Sequence, residues 1–139
     1  YQDIIPRYSI RNSEIVERLF FYLLSNSTAI LNYTTLSKIF EISDKTIKEY
    51  INYFEDVFLV KKIDKFHNKE KEQIKSQKKI YVLDNGLLQL STNFSSNLGM
   101  KLENLVFNVL NQNEENLTYL RDTYEIDFYT NKTLYQVFD

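Results

Sequence analysis

The chain contains no cysteine, so neither a disulfide framework nor thiolate chemistry is available to it. That absence fits a cytoplasmic setting. Its only glycines are Gly86 and Gly99, which rules out a G-x-x-x-x-G-K-S/T phosphate loop within these residues. The single histidine, His67, has no second ligand around it for a metal and reads as solvated. No apolar run approaches the ~20 residues that a membrane-spanning helix needs, and no signal peptide precedes the first predicted helix. What the sequence has is bulk: 43% hydrophobic and 15% aromatic residues, the aromatics all Tyr and Phe. At 139 residues it is expected to form one compact domain or two very small ones, and its start at Tyr1 rather than Met suggests a fragment.

Net charge is −2, but the charge is unevenly spread. Residues 61–79 hold eight lysines against Asp64, Glu70 and Glu72, a local balance of +5. Residues 80–139 hold Lys101, Arg121 and Lys132 against eight acids, a balance of −5. The two segments are expected to do different things.

Residues 33–53 read YTTLSKIFEISDKTIKEYINY, two short helical patterns meeting at a tight break. Leu36, Ile39 and Phe40 give one helix its apolar stripe; Ile47, Tyr50, Ile51 and Phe54 give the next one another. Ser43 is placed to cap the second helix, so the pair is predicted to be a helix-turn-helix. A helix from Asn12 to Leu24 precedes it. Phe58–Phe66 and Lys79–Asp84 then read as strands joined by the polar, mostly basic loop HNKEKEQIKSQK. Three helices followed by such a hairpin form a winged helix with the basic loop as its wing tip. Asp84-Asn85-Gly86 predicts a turn with left-handed backbone. After a linker-like stretch at Ser91–Asn97, Leu98–Leu110 is predicted to be a helix with Leu98, Leu102, Leu105, Val106, Val109 and Leu110 on one face. Thr118–Arg121, Glu125–Thr130 and Leu134–Phe138 read as short strands, the last two joined by an Asn-Lys turn.

At about 100° per residue from Ile47, the residues Lys45, Lys48, Glu49 and Asn52 face outward on the second helix of the pair. Lys45 and Lys48 suit phosphates, and Asn52 suits adenine in the major groove. An ordinary solvated face explains them equally well, and Glu49, Glu55 and Asp56 favour that plainer reading. The wing lysines Lys69, Lys71, Lys75 and Lys78 predict salt-sensitive contact with duplex DNA without sequence preference; a merely soluble loop is the alternative. In the second half, Glu103 lies at the edge of its helix's stripe, and Asp127 alternates with Ile126 and Phe128. With Gln136, these oxygens form a candidate Mg²⁺ site, set against a boundary Glu and an outward strand Asp.

Five segments in order are DIIPRYSIRN, LSKIFEISDKTIKEYINYFEDVFLV, KKIYVLDNGL, GMKLENLVFNVL and EIDFYTNKTLYQV. Together they resemble the C-terminal region, a domain of unknown function, of bacterial and archaeal AAA-type ATP-binding proteins. The resemblance covers essentially the whole chain. It implies an ATPase module preceding Tyr1, which would hold any ATP, then a winged helix, then a domain similar to the PD-(D/E)xK restriction-endonuclease fold. It matches Glu103 and Asp127 to that fold's metal-binding carboxylates and Gln136 to its third ligand. It also places Phe138 where active enzymes carry a lysine, and phenylalanine can neither donate nor move a proton. Glu41 stands where the helix-turn-helix turn commonly has glycine.

The expected fold is therefore α+β: a winged helix-turn-helix over residues 1–90, then a restriction-endonuclease-like α/β unit over 91–139, cut short at its C-terminus. The expected function is a non-catalytic accessory region of a AAA-type ATPase that binds double-stranded DNA through Lys45, Lys48, Asn52, Lys69, Lys71, Lys75 and Lys78. The alternatives are a docking or dimerisation module for the ATPase, and a Mg²⁺-dependent nuclease. A homo-oligomer is compatible with each, and no membrane partner is expected.

Overall fold

In the computed structural model, residues 13–90, 98–113, 116–130 and 133–138 are described. DIIPRYSIRN, the linker at 91–97 and the Asn-Lys turn at 131–132 lie outside them. Val16, Leu19, Phe20, Leu23 and Leu24 recur at helical spacing and are the buried side of α1 (Ser13–Ser25). Next come α2 (Tyr33–Phe40) and α3 (Asp44–Asp56), each started by a side-chain cap. Asn32 accepts from the Thr35 amide at 3.0 Å, and Ser43 from the Thr46 amide at 3.1 Å.

The break between α2 and α3 turns on Glu41, which sits in the left-handed region (φ 57°, ψ 40°). Its amide closes α2 on the Ser37 carbonyl, and the Ser37 hydroxyl donates to the Ile42 carbonyl. A side chain in that conformation is strained by about 1 kcal/mol. Glu41→Gly is therefore expected to raise stability by about 0.5–1 kcal/mol, a few degrees in melting temperature. A thermal melt showing an unchanged or lowered midpoint would count against strain at this turn.

Strand β1 (Val60–Lys65) follows, then the six-residue helix α4 (Glu70–Lys75) and β2 (Lys78–Val82). Beyond them come a 3-10 turn (Asn85–Leu90), α5 (Leu98–Asn113), β3 (Thr118–Arg121), β4 (Glu125–Thr130) and β5 (Thr133–Tyr135). The five strands make one mixed sheet in the order β2-β1-β3-β4-β5. β1 runs antiparallel to β2, from Val60 opposite Val82 to Asp64 opposite Lys78, and parallel to β3. A parallel pair needs a long crossover, and the chain supplies α5 on the way. The α+β class holds, with one sheet continuous from the hairpin into the C-terminal strands.

Period-two alternation sends the hairpin's side chains two ways. Val60, Ile80 and Val82 join the core of α1, α2 and α3; Ile63 and Tyr81 join Phe107, Leu117, Tyr119 and Phe128. Tyr81 stacks on Phe107 with centroids 4.4 Å apart, and Phe128 lies 5.5 Å from the same tyrosine. Residues 28–31 cover the outer edge of β2, through Thr28 N–H to Ile80 O at 2.7 Å and Leu31 N–H to Lys78 O at 2.7 Å.

Four expectations need correcting. The loop between the hairpin strands contains α4, whose C-terminal carbonyls at Gln73 and Ile74 are held by the Lys78 ammonium at 3.3 and 2.6 Å. The first hairpin strand starts at Val60, because Phe58 takes a left-handed φ of 62° and is 80% exposed. Gly86 has no positive φ; its amide donates to Asp84 Oδ1 at 2.8 Å and the chain enters the 3-10 turn. The α5 face is rotated: Asn104 and Phe107 are its fully buried residues, while Leu98, Leu105 and Val109 are exposed. Among the described residues, no helix is long and apolar enough to cross a membrane.

Candidate functional site

Two places concentrate chemistry. At the outer face of α3, Lys45, Lys48, Glu49 and Asn52 are exposed while Ile47, Tyr50, Ile51 and Phe54 hold the helix to the core. Lys48 lies 5.1 Å from the Tyr33 ring centroid, a cation–π contact that fixes its stem. It lines a groove together with Tyr33 and Asp44 and with Lys75, Gln77 and Lys78. The groove thus lies between α3 and the end of α4.

The predicted DNA-contacting residues separate into two groups there. Lys45, Lys48, Lys69, Lys71 and Lys75 are exposed. Lys78 is half-buried, ion-paired with Asp64 at 2.9 Å in addition to its α4 contacts. Asn52 Oδ1 accepts from Lys62 Nζ at 2.7 Å, so one of the two lone pairs that could meet adenine is engaged within the protein. Glu55 is neutralised by the same lysine at 3.2 Å and also accepts the Lys62 amide at 3.0 Å. The repulsion expected of Glu55 is thereby reduced.

The second place is a polar centre inside the sheet–α5 layer. Lys79, which the sequence marks only as part of the basic segment, is 2% exposed. Its Nζ donates to Glu103 Oε2 at 2.9 Å and Glu125 Oε2 at 3.3 Å, and lies 5.7 and 5.4 Å from the Tyr81 and Tyr119 ring centroids. Tyr81 OH donates to the same Glu103 oxygen at 2.6 Å. Burial first, then the Glu103 charge beside it, raises the Tyr81 hydroxyl far above its ordinary range, so it stays a donor. Burial also raises the Glu103 carboxyl, against the Lys79 and Tyr81 contacts that pull it down; Asp127 adds to the rise.

Asp127 is buried, with Oδ2 accepting from the Val137 amide at 2.9 Å, while its own amide donates to Gln136 Oε1 at 3.1 Å. The structure thus brings Glu103 and Asp127 within electrostatic reach and joins Gln136 to Asp127 through the backbone. Phe138 is 82% exposed. Sequence reasoning alone misses Lys79, Tyr81 and Glu125 as members of a site. A signal existed for the first two: in KIYVL they alternate onto one side of an otherwise apolar strand.

A divalent ion does not fit this centre as built. Mg²⁺ draws oxygens in to about 2.0–2.1 Å, yet the Glu103 oxygen already takes two protein donors and one Asp127 oxygen takes a third. An ammonium about 4 Å from a dication would add repulsion of roughly 4 kcal/mol per unit charge at an effective dielectric near 20. Among the described residues, no group of three or more His, Cys, Asp or Glu is arranged to hold a metal.

The family described as "Domain of unknown function (DUF8612)" matches residues 1–98. The chain is 37% identical over 150 residues to the uncharacterized protein MJ1544 of Methanocaldococcus jannaschii, covering 99% of this chain and 33% of that protein. It is 26% identical over 137 residues to an uncharacterized protein of Haemophilus influenzae, covering 94% of this chain and 34% of that one. It therefore spans about a third of the length of these curated relatives. No solved structure matches it.

Proposed function

The chain belongs to the DUF8612 family, a domain of unknown function, and we propose that it is a winged-helix module that binds the backbone of double-stranded DNA as an accessory region of a AAA-type ATPase. The observation that carries this reading is the groove between α3 and α4, which Lys48 and Lys75 line together with Lys78 and Asp44. Lys45, Lys69 and Lys71 add exposed cations on the same two helices or next to them. In this reading α3 lies against the major groove and the α4 arm, acting as the wing, meets the neighbouring phosphates. With Asn52 held by Lys62, the contacts are to phosphates and tolerate any sequence. The ATPase connection rests on the order of the five sequence segments, and the relatives are about three times the length of this chain.

A docking role is compatible with DNA binding. It is favoured by Leu98, Leu105 and Val109, exposed on α5 at 62%, 49% and 55%. The nuclease alternative rests on the resemblance alone, and Phe138, exposed where active enzymes carry a lysine, opposes it.

Titrating a short random-sequence duplex into ¹⁵N-labelled protein tests the assignment. Amide shift changes are expected to concentrate at residues 44–52 and 69–78. Changes confined to α5, or none at all, would contradict the winged-helix reading.

A further inference from the structure

We propose that Lys62 is a positioning residue of the DNA-binding face: it holds the Glu55 carboxylate against β1, so that its charge does not oppose the duplex. This deepens the proposed DNA binding and rests on it. The chain reverses between α3 and β1 at Phe58, whose φ is 62°, with the Leu59 amide donating to the Phe54 carbonyl at 2.9 Å. Lys62 follows on β1 and holds Glu55 of α3 twice. Its ammonium lies 3.2 Å from Oε1, and its backbone amide donates to Oε2 at 3.0 Å. The same ammonium donates to Asn52 Oδ1 at 2.7 Å, one turn earlier on the helix. Strand β3 pairs with β1 only from Asp64 onward, so at Lys62 the carboxylate serves an amide that β3 does not reach.

The Glu55 charge bears on the groove between α3 and α4. Burial first, then that charge, raises the Tyr33 hydroxyl above its ordinary range, and Tyr33 lines the groove with Lys48. A carboxylate so placed repels phosphates unless a cation offsets it. The Lys62 and Glu55 side chains are only 19% and 29% exposed, so salt screens this pair less than one in open solvent. Two of the three ammonium donors of Lys62 are taken by α3, which sets it apart from the exposed Lys45, Lys48 and Lys75. Its contribution to binding therefore runs through Glu55 rather than through a phosphate of its own.

Anisotropy of a labelled random-sequence duplex at low salt tests this in the wild type, Lys62→Met, Glu55→Gln and Lys62→Met/Glu55→Gln, each checked for folding by thermal melting. Lys62→Met uncovers a negative charge and is expected to bind at least about threefold more weakly than the wild type. The double variant should return to within about twofold of the wild type, because glutamine carries no charge and still accepts the residue-62 amide. Glu55→Gln alone should also stay within about twofold, its charge being offset already. A folded Lys62→Met that binds as the wild type does would overturn the proposal. So would a double variant as weak as Lys62→Met, which would make Lys62 itself the contact. If Lys62→Met does not fold, Glu55→Gln decides: affinity within about twofold of the wild type supports the proposal, and a larger gain overturns it. A wild type that binds no duplex contradicts the DNA-binding reading and this inference with it; a wild type that binds while the variants fail these criteria contradicts the inference alone.

Discussion

Lys79→Met, in metal-free buffer, is expected to lower folding stability by about 3–5 kcal/mol, the usual cost of removing one partner from a buried ion pair. The loss comes less from the missing attraction than from what remains. Among the described residues, Glu103 keeps a mostly buried carboxylate with only the Tyr81 hydroxyl as a donor, within reach of the Asp127 charge. Glu125 is 36% exposed at its side chain and regains water, which places the expected value at the lower end. Removing the acid as well, in Lys79→Met/Glu103→Leu, should recover part of the loss, because an apolar pair replaces an orphaned charge. Urea unfolding of the two single variants and the double variant measures this coupling. A single-variant loss below about 1 kcal/mol would show that the centre is far better hydrated than its burial implies.

Asn104→Leu is expected to cost about 2–5 kcal/mol, since buried polar groups left without partners cost about 1–3 kcal/mol each. Asn104 is fully buried, and its side-chain hydrogen bonds run to other elements. Its Oδ1 accepts from the Val82 amide at 2.9 Å and the Ser27 hydroxyl at 2.5 Å. Its Nδ2 donates to the Val82 carbonyl at 2.8 Å and Asn85 Oδ1 at 2.5 Å. Leucine matches the volume but leaves the Val82 amide and the Ser27 hydroxyl without these partners. Asn108 is the internal control. It donates to the same Val82 carbonyl and Asn85 oxygen at 3.1 and 3.2 Å, but is only half-buried and duplicates bonds that Asn104 already makes. Asn108→Leu should therefore cost under about 1 kcal/mol. Equal losses for the two variants, measured by urea unfolding, would contradict this division of roles.

Asn104 and Lys79 also mark where reading the sequence stops. The helices α1, α2 and α3 are legible because their apolar residues repeat at helical spacing, and Ser43 announces the start of α3. The hairpin strands are legible from their β-branched and aromatic residues. Asn104 and Lys79 are not, because each is buried by partners distant in sequence: Val82 and Ser27 for one, Glu103 and Glu125 for the other. The inward turn of Asn104 also explains why α5 shows Leu98, Leu105 and Val109 to solvent although its apolar stripe predicts them inside. Helix α4 has a single apolar residue, Ile74, which is exposed, so no periodicity could reveal it. Its end is closed by Lys78, an interaction that forms only once β2 is in place. Glu103, Asp127 and Gln136 stand out in the sequence as separate candidates. Their relation to Lys79 depends on which strand lies beside α5, and local spacing carries no information on that.

The most direct measurement is fluorescence anisotropy of a labelled random-sequence duplex titrated with this chain across salt, beside the variant Lys45→Gln/Lys48→Gln/Lys75→Gln. The wild type is expected to bind at micromolar concentration in low salt, with affinity falling steeply as salt rises. The variant should bind at least about tenfold more weakly, with a salt slope shallower by about 3, close to one unit for each phosphate no longer neutralised. No binding at low salt, or binding that the three substitutions leave unchanged, would contradict a DNA-binding face built from α3 and the α4 arm.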